Sequence, residues 1–280
     1  MSALPATSPR EIEIRPSRGL LDLELNLIWR YRELLRILIE RDIKVRYRQA
    51  ALGAAWAIVQ PVFAVVIFTV VFGRFAKIPS NGVPYPLFAF AATLPWTYFA
   101  EAARRASVGL VSEAELVRKI YFPRLIIPLA AVSGPLVDFV LAFAVMLVTL
   151  LVYHYRIGWH VVFIPGFVLI AALLALAVGL WLSPINVRYR DVTQTLPFLL
   201  QVWMYASPIV YPLSLVPARW KVLYSLNPMV GVIEGFRWAL LGKTRPDLVA
   251  MLMSLGVIVL ALWGGLVFFK RRERSFADVI

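Results

Sequence analysis

The chain has no cysteine, only two histidines and, at 16%, few charged residues for its 280 positions. Zero cysteines exclude disulfides and thiolate metal sites. A catalytic centre needs convergent acids, bases, nucleophiles or metal ligands. His154 and His160 both fall near one end of an apolar run, where an imidazole sits at headgroup level rather than acting as a ligand or general base. The first twenty residues hold Pro5, Pro9 and Pro16 among scattered charges and no apolar run, so no cleaved leader is expected and the first span must direct its own insertion. Scarce charge leaves 61% hydrophobic residues and a mean hydropathy of +0.77. One globular domain of this length could not hide so much apolar surface from water.

What is present is a series of six long apolar runs. A helix crosses a hydrocarbon core about 30 Å thick with roughly twenty residues, which makes the chain an all-α, polytopic membrane protein with six transmembrane helices. The expected spans are Leu52 to Gly73, with Pro61 inside; Tyr85 to Ala103, interrupted by Pro95; Leu125 to Tyr153; Val161 to Pro184; one starting near Thr195; and Leu248 to Phe269. Pro208, Pro212 and Pro217 break the fifth, and Val210 to Leu241 is expected to form short re-entrant outer helices that dip in from one face and return.

Before the first span, Leu27, Tyr31, Leu34, Leu35, Leu38 and Ile39 recur at helical spacing among Arg30, Arg36, Glu40, Arg41 and Lys44. This predicts an amphipathic helix lying on the membrane surface, or else against a protein partner. The division is then a tail over 1–25, an interfacial helix over 26–50 and a transmembrane domain over 51–280.

Of the 29 Lys and Arg, 21 fall on the side that carries both termini and eight on the other, so both termini are expected to be cytoplasmic. The net charge of +13 belongs to the ends of apolar runs, where it faces anionic headgroups; no basic soluble domain points to nucleic acid. Gly242, Lys243 and Thr244 mimic the end of a phosphate-binding loop, but Arg237 stands where its first glycine belongs. ATP, if it is used, must bind a separate chain.

Asp138 is the one carboxylate well inside a span, open to a transport role or to a structural one with Ser133 nearby. Glu234 and Arg237 share a helix face and can pair, which favours structure over substrate contact. Trp96, Tyr98 and Phe99, then Trp203, Tyr205 and Tyr211, then Trp220 and Tyr224 gather in proline-broken segments. Such rings either form the interfacial belt or stack on the apolar faces of sugars in a pathway. In the gap from Arg104 to Arg124, Glu113, Glu115, Leu116, Arg118 and Lys119 precede Tyr121, Phe122 and Pro123, a mixture that suits docking to a soluble partner.

RDIKVRYRQAALGAAWAIVQP (Arg41 to Pro61), KIYFPRLIIPLA (Lys119 to Ala130), NVRYRDV (Asn186 to Val192), YASPIVYP (Tyr205 to Pro212), LNPM (Leu226 to Met229) and the closing ERSFADVI occur in order. From Trp29 to Ile280 the chain resembles the membrane subunit of type-2 ABC exporters of lipid-linked polysaccharide, such as O-antigen, teichoic acid and capsule. The resemblance implies a homodimer in the bacterial inner membrane with two ABC nucleotide-binding subunits. ATP and Mg would sit on those partners, and no cofactor on this chain.

It further implies a coupling segment at Gly109 to Lys119 continuing through Tyr121 to Arg124, and a gate helix over Trp29 to Gln49. Arg41, Lys44, Arg46 and Arg48 would guide the lipid pyrophosphate. A channel between protomers would be lined by Trp56, Phe63, Trp96, Tyr98, Trp203, Tyr205 and Tyr211. Three rivals remain: a type-2 exporter of a small molecule, a membrane transferase acting on lipid-linked sugars, and a passive channel needing no ATPase. The transferase lacks an acidic pair facing the cytoplasm, since Asp191 stands alone there.

Overall fold

The computed structural model describes residues 25–48, 55–243, 245–273 and 276. The expected tail, the last residues of the interfacial helix, the start of the first span at Leu52 and most of the ERSFADVI ending lie outside them, as does Thr244. Among the described residues the structure is helical throughout, with no strand.

Helices α1 (Leu25–Arg30) and α2 (Arg32–Arg48) follow each other almost without interruption, because Tyr31 keeps helical hydrogen bonds to Leu27 and from Leu35. The apolar stripe of α2 turns inward: Leu38 is 4% exposed and packs with Ile126, Ile127 and Ala130 of α6 (Ile126–Ser133). Trp29 and Ile37 remain exposed away from that stripe, and Val45, two turns on from Leu38, is exposed at its end. The helix thus rests on its own chain with one side and offers a second apolar edge outward.

Among the described residues, four helical stretches are long and apolar enough to cross a membrane: Ile58–Phe75, Ile126–Val152, Trp159–Arg188 and Leu248–Glu273. The first joins α3 (Ala55–Phe68), which contains Pro61, to a π-helical turn over Thr69–Phe75. The second is broken at Gly134 and Pro135 into α6 and α7 (Leu136–Val152). The third runs from a 3₁₀ turn into α8 (Ile164–Arg188), and the fourth is α12 (Leu248–Glu273).

The expected second span is α4 (Tyr85–Ser112), which continues past Ala103 to a length of 28 residues, or about 42 Å. It is the axis of the fold. Leu87, Phe90, Leu94, Phe99 and Ala102 are fully enclosed, so protein takes the place of lipid around it and Glu101, Arg104 and Arg105 in its second half find partners. Small residues let α8 close on it. A Cβ at Gly179 would lie 2.3 Å from that of Ala106, an approach only glycine permits. Gly179→Val is therefore expected to cost about 1–3 kcal/mol through overpacking, read as a lower melting temperature in detergent.

The expected fifth span, α9 (Val192–Tyr205), is 14 residues long, about 21 Å, and ends before Ala206. A 3₁₀ turn at Leu213–Leu215 and two short helices, α10 (Ala218–Ser225) and α11 (Pro228–Leu241), follow. Asn227 caps α11 by accepting from the Met229 amide at 3.0 Å, and Gly242 ends it at φ +65°. A short helix, α5 (Ala114–Lys119), follows the end of α4. One end of the bundle carries α2 and α5; the other carries α10, α11 and the turn at residues 76–84, where Tyr85 donates to the Val210 carbonyl at 2.7 Å.

Candidate functional site

Four basic side chains of α2 divide into two kinds. Arg41 and Arg46 are already neutralised by protein. The Arg41 guanidinium grips Glu113 with both nitrogens, Nη1 donating to Oε2 at 2.9 Å, and its pKa is raised chiefly by that hydrogen bond. Arg46 pairs with Asp138 of α7 and donates from Nη2 to Glu101 of α4 at 3.1 Å. Tyr47 donates its hydroxyl to the other Asp138 oxygen. Lys44 and Arg48 are exposed, with Lys44 3.5 Å from Glu40.

Asp138 is thus fixed across to α2, while Ser133 bonds back to the Leu129 carbonyl at 2.9 Å instead of to it. Glu101 serves three guanidiniums, accepting also from Arg104 Nε at 2.9 Å and from Arg105 Nε at 2.6 Å. Folding therefore creates the acidic pair that the sequence order hid, Glu101 and Asp138, both held by Arg46. Each carboxylate is committed to a cation, three guanidiniums facing two carboxylates, which suits an ion-pair cluster better than a metal or general-base site.

Two cavities flank this cluster. One, about 380 Å³, lies between α2, α3, α4 and α7 and is lined by Tyr47, Trp56, Gln60, Thr97, Tyr98, Phe139 and the charged cluster. The other, about 490 Å³, lies between α2, α4 and α6 and reaches Leu38, Arg41, Ser112, Glu113 and Ile127. Arg46 and Arg105 line both. Thr97, Glu101, Arg105, Val108 and Ser112 lie on one stripe of α4 at steps of three and four residues, so the cavities follow a single helix face.

The α4–α5 junction is built on Glu113, whose backbone leaves helical geometry there. Glu115 and Lys119 form an exposed pair, and Ile120 and Tyr121 are exposed. Phe122, expected to be exposed, is only 2% so: it enters the small core formed by Val117, Leu125, Phe269 and Phe276, and the Arg124 guanidinium covers its ring at 5.0 Å. The Arg124 amide donates to Glu273 at 3.2 Å, which fixes α12 to this segment. Leu116 is partly buried against the same core, Arg118 lies on the last turn of α5, and Pro123 leads into α6.

At the opposite end, Trp203 donates from Nε1 to Asn227 at 2.8 Å and stands edge-on to Phe99 at 5.1 Å and Trp96 at 6.3 Å. Trp203, Trp220, Tyr224 and Asn227 border an open apolar groove of about 430 Å³. Tyr211 and Tyr224 share a hydroxyl hydrogen bond of 2.9 Å. Arg237 is fully enclosed: it donates to Glu234 at 2.9 Å and to the Ile209 carbonyl at 2.6 Å, with its guanidinium 3.6 Å above the Phe88 ring. That pair ties α11 to α4 and to the turn after α9. His160 stacks on Trp159 and stands edge-on to Trp238, and His154 lies in a turn at φ +49°. Among the described residues no group of three or more His, Asp or Glu is placed to hold a metal.

The expected channel-lining residues do not share one surface within the protomer. Trp96 and Tyr98 are buried, Tyr98 donating to the Val132 carbonyl at 3.3 Å. Trp56, Phe63 and Tyr205 are exposed, and Tyr211 is half-buried. Tyr47, Gln60, Glu101 and Arg105 were missed by sequence reasoning. Glu101 carried a readable signal in Arg104 and Arg105 three and four residues later; the Tyr47–Asp138 contact, 91 residues apart, carried none.

Comparison with known proteins sets these features in context. Residues 33–241 match the family described as ABC-2 type transporter. The O-antigen export system permease protein RfbA of Myxococcus xanthus is 31% identical over 257 residues, covering 90% of this chain and 97% of that protein. A Klebsiella pneumoniae protein of the same name is 25% identical over 89% of this chain and 95% of its own length. The polysialic acid transport protein KpsM of Escherichia coli is 23% identical over 84% and 92%. With the family match spanning its helices from α2 through α11, the chain belongs to the ABC-2 type transporter family.

Proposed function

We propose that the chain is the transmembrane subunit of an ATP-driven exporter that moves a lipid-linked polysaccharide, O-antigen or a similar surface glycan, across the bacterial inner membrane. The observation that carries this reading is the likeness to an O-antigen export permease along 90% of the chain. Two copies form the channel, and two separate nucleotide-binding subunits hydrolyse ATP. Six spans are counted by adding α4 and α9 to the four apolar stretches, with α10 and α11 re-entrant from the outer face. Both termini then share the cytoplasmic side, with α2 and α5.

In this mechanism the Arg41–Glu113 grip passes motion from the coupling segment to the gate helix. Nucleotide-driven closure of the partner pushes α5 through exposed Ile120, Tyr121 and the Glu115–Lys119 pair, and Glu113 draws α2 with it. Lys44 and Arg48, both exposed, receive the pyrophosphate, while Arg41 and Arg46 hold the helix. The aromatic groove at Trp203, Trp220 and Tyr224 lies toward the exit, where ring faces let a glycan slide without fixed register.

Glu113→Ala is expected to leave ATP hydrolysis by the complex intact while export falls about tenfold or more. The exchange Arg41→Glu with Glu113→Arg is expected to restore part of it, as a paired interaction requires. Paired assays of ATPase activity and surface glycan check this. For the function itself, a deletion strain is expected to accumulate lipid-linked glycan inside the cell; normal surface glycan without accumulation would exclude the assignment. Such an outcome would favour small-molecule export.

A further inference from the structure

The cavity between α2, α3, α4 and α7 has a chemistry that tethering the gate helix does not use. We propose that it binds one uncharged sugar ring, so that each protomer holds a saccharide beneath its gate helix. This rests on the polysaccharide-export reading and adds a subsite to it.

Charge speaks first. Arg46 and Arg105 line the cavity, but Arg46 is matched by Asp138 and Glu101, and Arg105 Nε holds Glu101 at 2.6 Å. A pyrophosphate entering here would have to displace carboxylates and then face their charge. An uncharged polyol meets no such barrier.

Hydrogen-bonding capacity points the same way. Sugar hydroxyls both donate and accept, and the wall offers both: carboxylate oxygens of Glu101 and Asp138, remaining guanidinium N–H groups, and the Gln60 amide. Thr97 spends its proton on the Leu94 carbonyl at 3.0 Å, leaving its oxygen as an acceptor. The third element is a flat apolar face. The Trp56 side chain, 51% exposed, borders the cavity and can lie against the C–H face of a pyranose. The volume of about 380 Å³ accommodates a single ring with water beside it and falls within the range of about 300–1,000 Å³ usual for small-ligand sites. An acyl chain fits poorly, since two full ion-pair sets would face it.

The test uses the full chain with its ATPase partner in lipid nanodiscs and saturation-transfer difference NMR with methyl pyranosides of glucose, mannose, galactose, rhamnose and N-acetylglucosamine. Saturable transfer to at least one glycoside is expected, unaffected by inorganic pyrophosphate. It should be lost in Trp56→Ala and weakened about tenfold in Gln60→Leu, which keeps the helix and the ion pairs. Trp263→Ala, on the exposed side of α12, should bind as the parent does. No transfer to any glycoside, transfer unchanged in both cavity variants, or displacement by pyrophosphate would overturn the proposal. Failure here with lipid-linked glycan still accumulating in the deletion strain removes only the subsite; absence of accumulation removes the export reading itself.

Discussion

Arg237→Met is expected to cost about 3–5 kcal/mol of folding stability, enough to abolish accumulation of the protein in the membrane. The side chain is 4% exposed and holds three partners at once: Glu234, the Phe88 carbonyl and the Ile209 carbonyl. Removing the cation leaves Glu234 as a nearly buried, uncompensated carboxylate and takes the side-chain donor from the Ile209 carbonyl. The double variant Arg237→Met with Glu234→Leu should recover part of the loss, because no charge is then left unpaired. Arg237→Lys should recover less, since an ammonium cannot span the fork. Thermal unfolding in detergent, followed by size-exclusion of the heated samples, gives the order directly: parent, double variant, lysine variant, methionine variant.

Glu101→Ala is expected to have the second largest effect, and a local one. Three guanidiniums share that carboxylate, and without it Arg104 and Arg105 lose their acceptor while Arg46 keeps only Asp138. The cluster is partly open to solvent, so the cost should be about 1–3 kcal/mol rather than that of a sealed ion pair. What distinguishes the prediction is where the change appears. Amides of α2 should exchange with deuterium faster, because one of its two anchors on the bundle is halved. Those of α8 and α11, packed on the other faces of α4, should keep parental rates. Uniform acceleration would mean that the cluster supports the fold as a whole and is no tether.

The legibility of this chain follows from the range over which each signal acts. The apolar runs, the period of α2 and the proline breaks are local, and the helices stand close to where those signals place them. Residue 101 shows what local patterning misses. It lies inside the span expected over Tyr85 to Ala103, just before Arg104 and Arg105 close the apolar run, yet α4 runs on to Ser112 and Glu101 takes a further cation from α2, 55 residues away. Phe122 stood in the sequence with Tyr121 in a segment suited to docking; the residues that cover it, Phe269 and Phe276, lie at the far end of the chain. The same limit applies to Arg41 and Arg46. As basic residues on an amphipathic helix they read as phosphate ligands, and only the folded chain brings Glu113, Glu101 and Asp138 to them.

The aromatic residues fall between these cases. Their concentration in broken segments was visible, and Trp203 does border a groove. Which rings turn inward depends on helix rotation, which neighbouring helices set. Trp96 faces Phe99 and Trp203 inside the protomer, whereas Trp56 and Phe63 stay on the exposed side of α3.

The account as a whole depends on a division of labour between a passive conduit and a separate motor. Proteoliposomes containing this subunit with its nucleotide-binding partner, loaded with lipid-linked glycan and supplied with ATP, measure it directly through the fraction of glycan that becomes accessible to a glycosidase on the far side. Transport is expected only when both subunits and ATP are present, and to stop when the partner is omitted. ATP-independent accumulation of glycan by this subunit alone, or ATP-driven transport without the partner, would contradict the account.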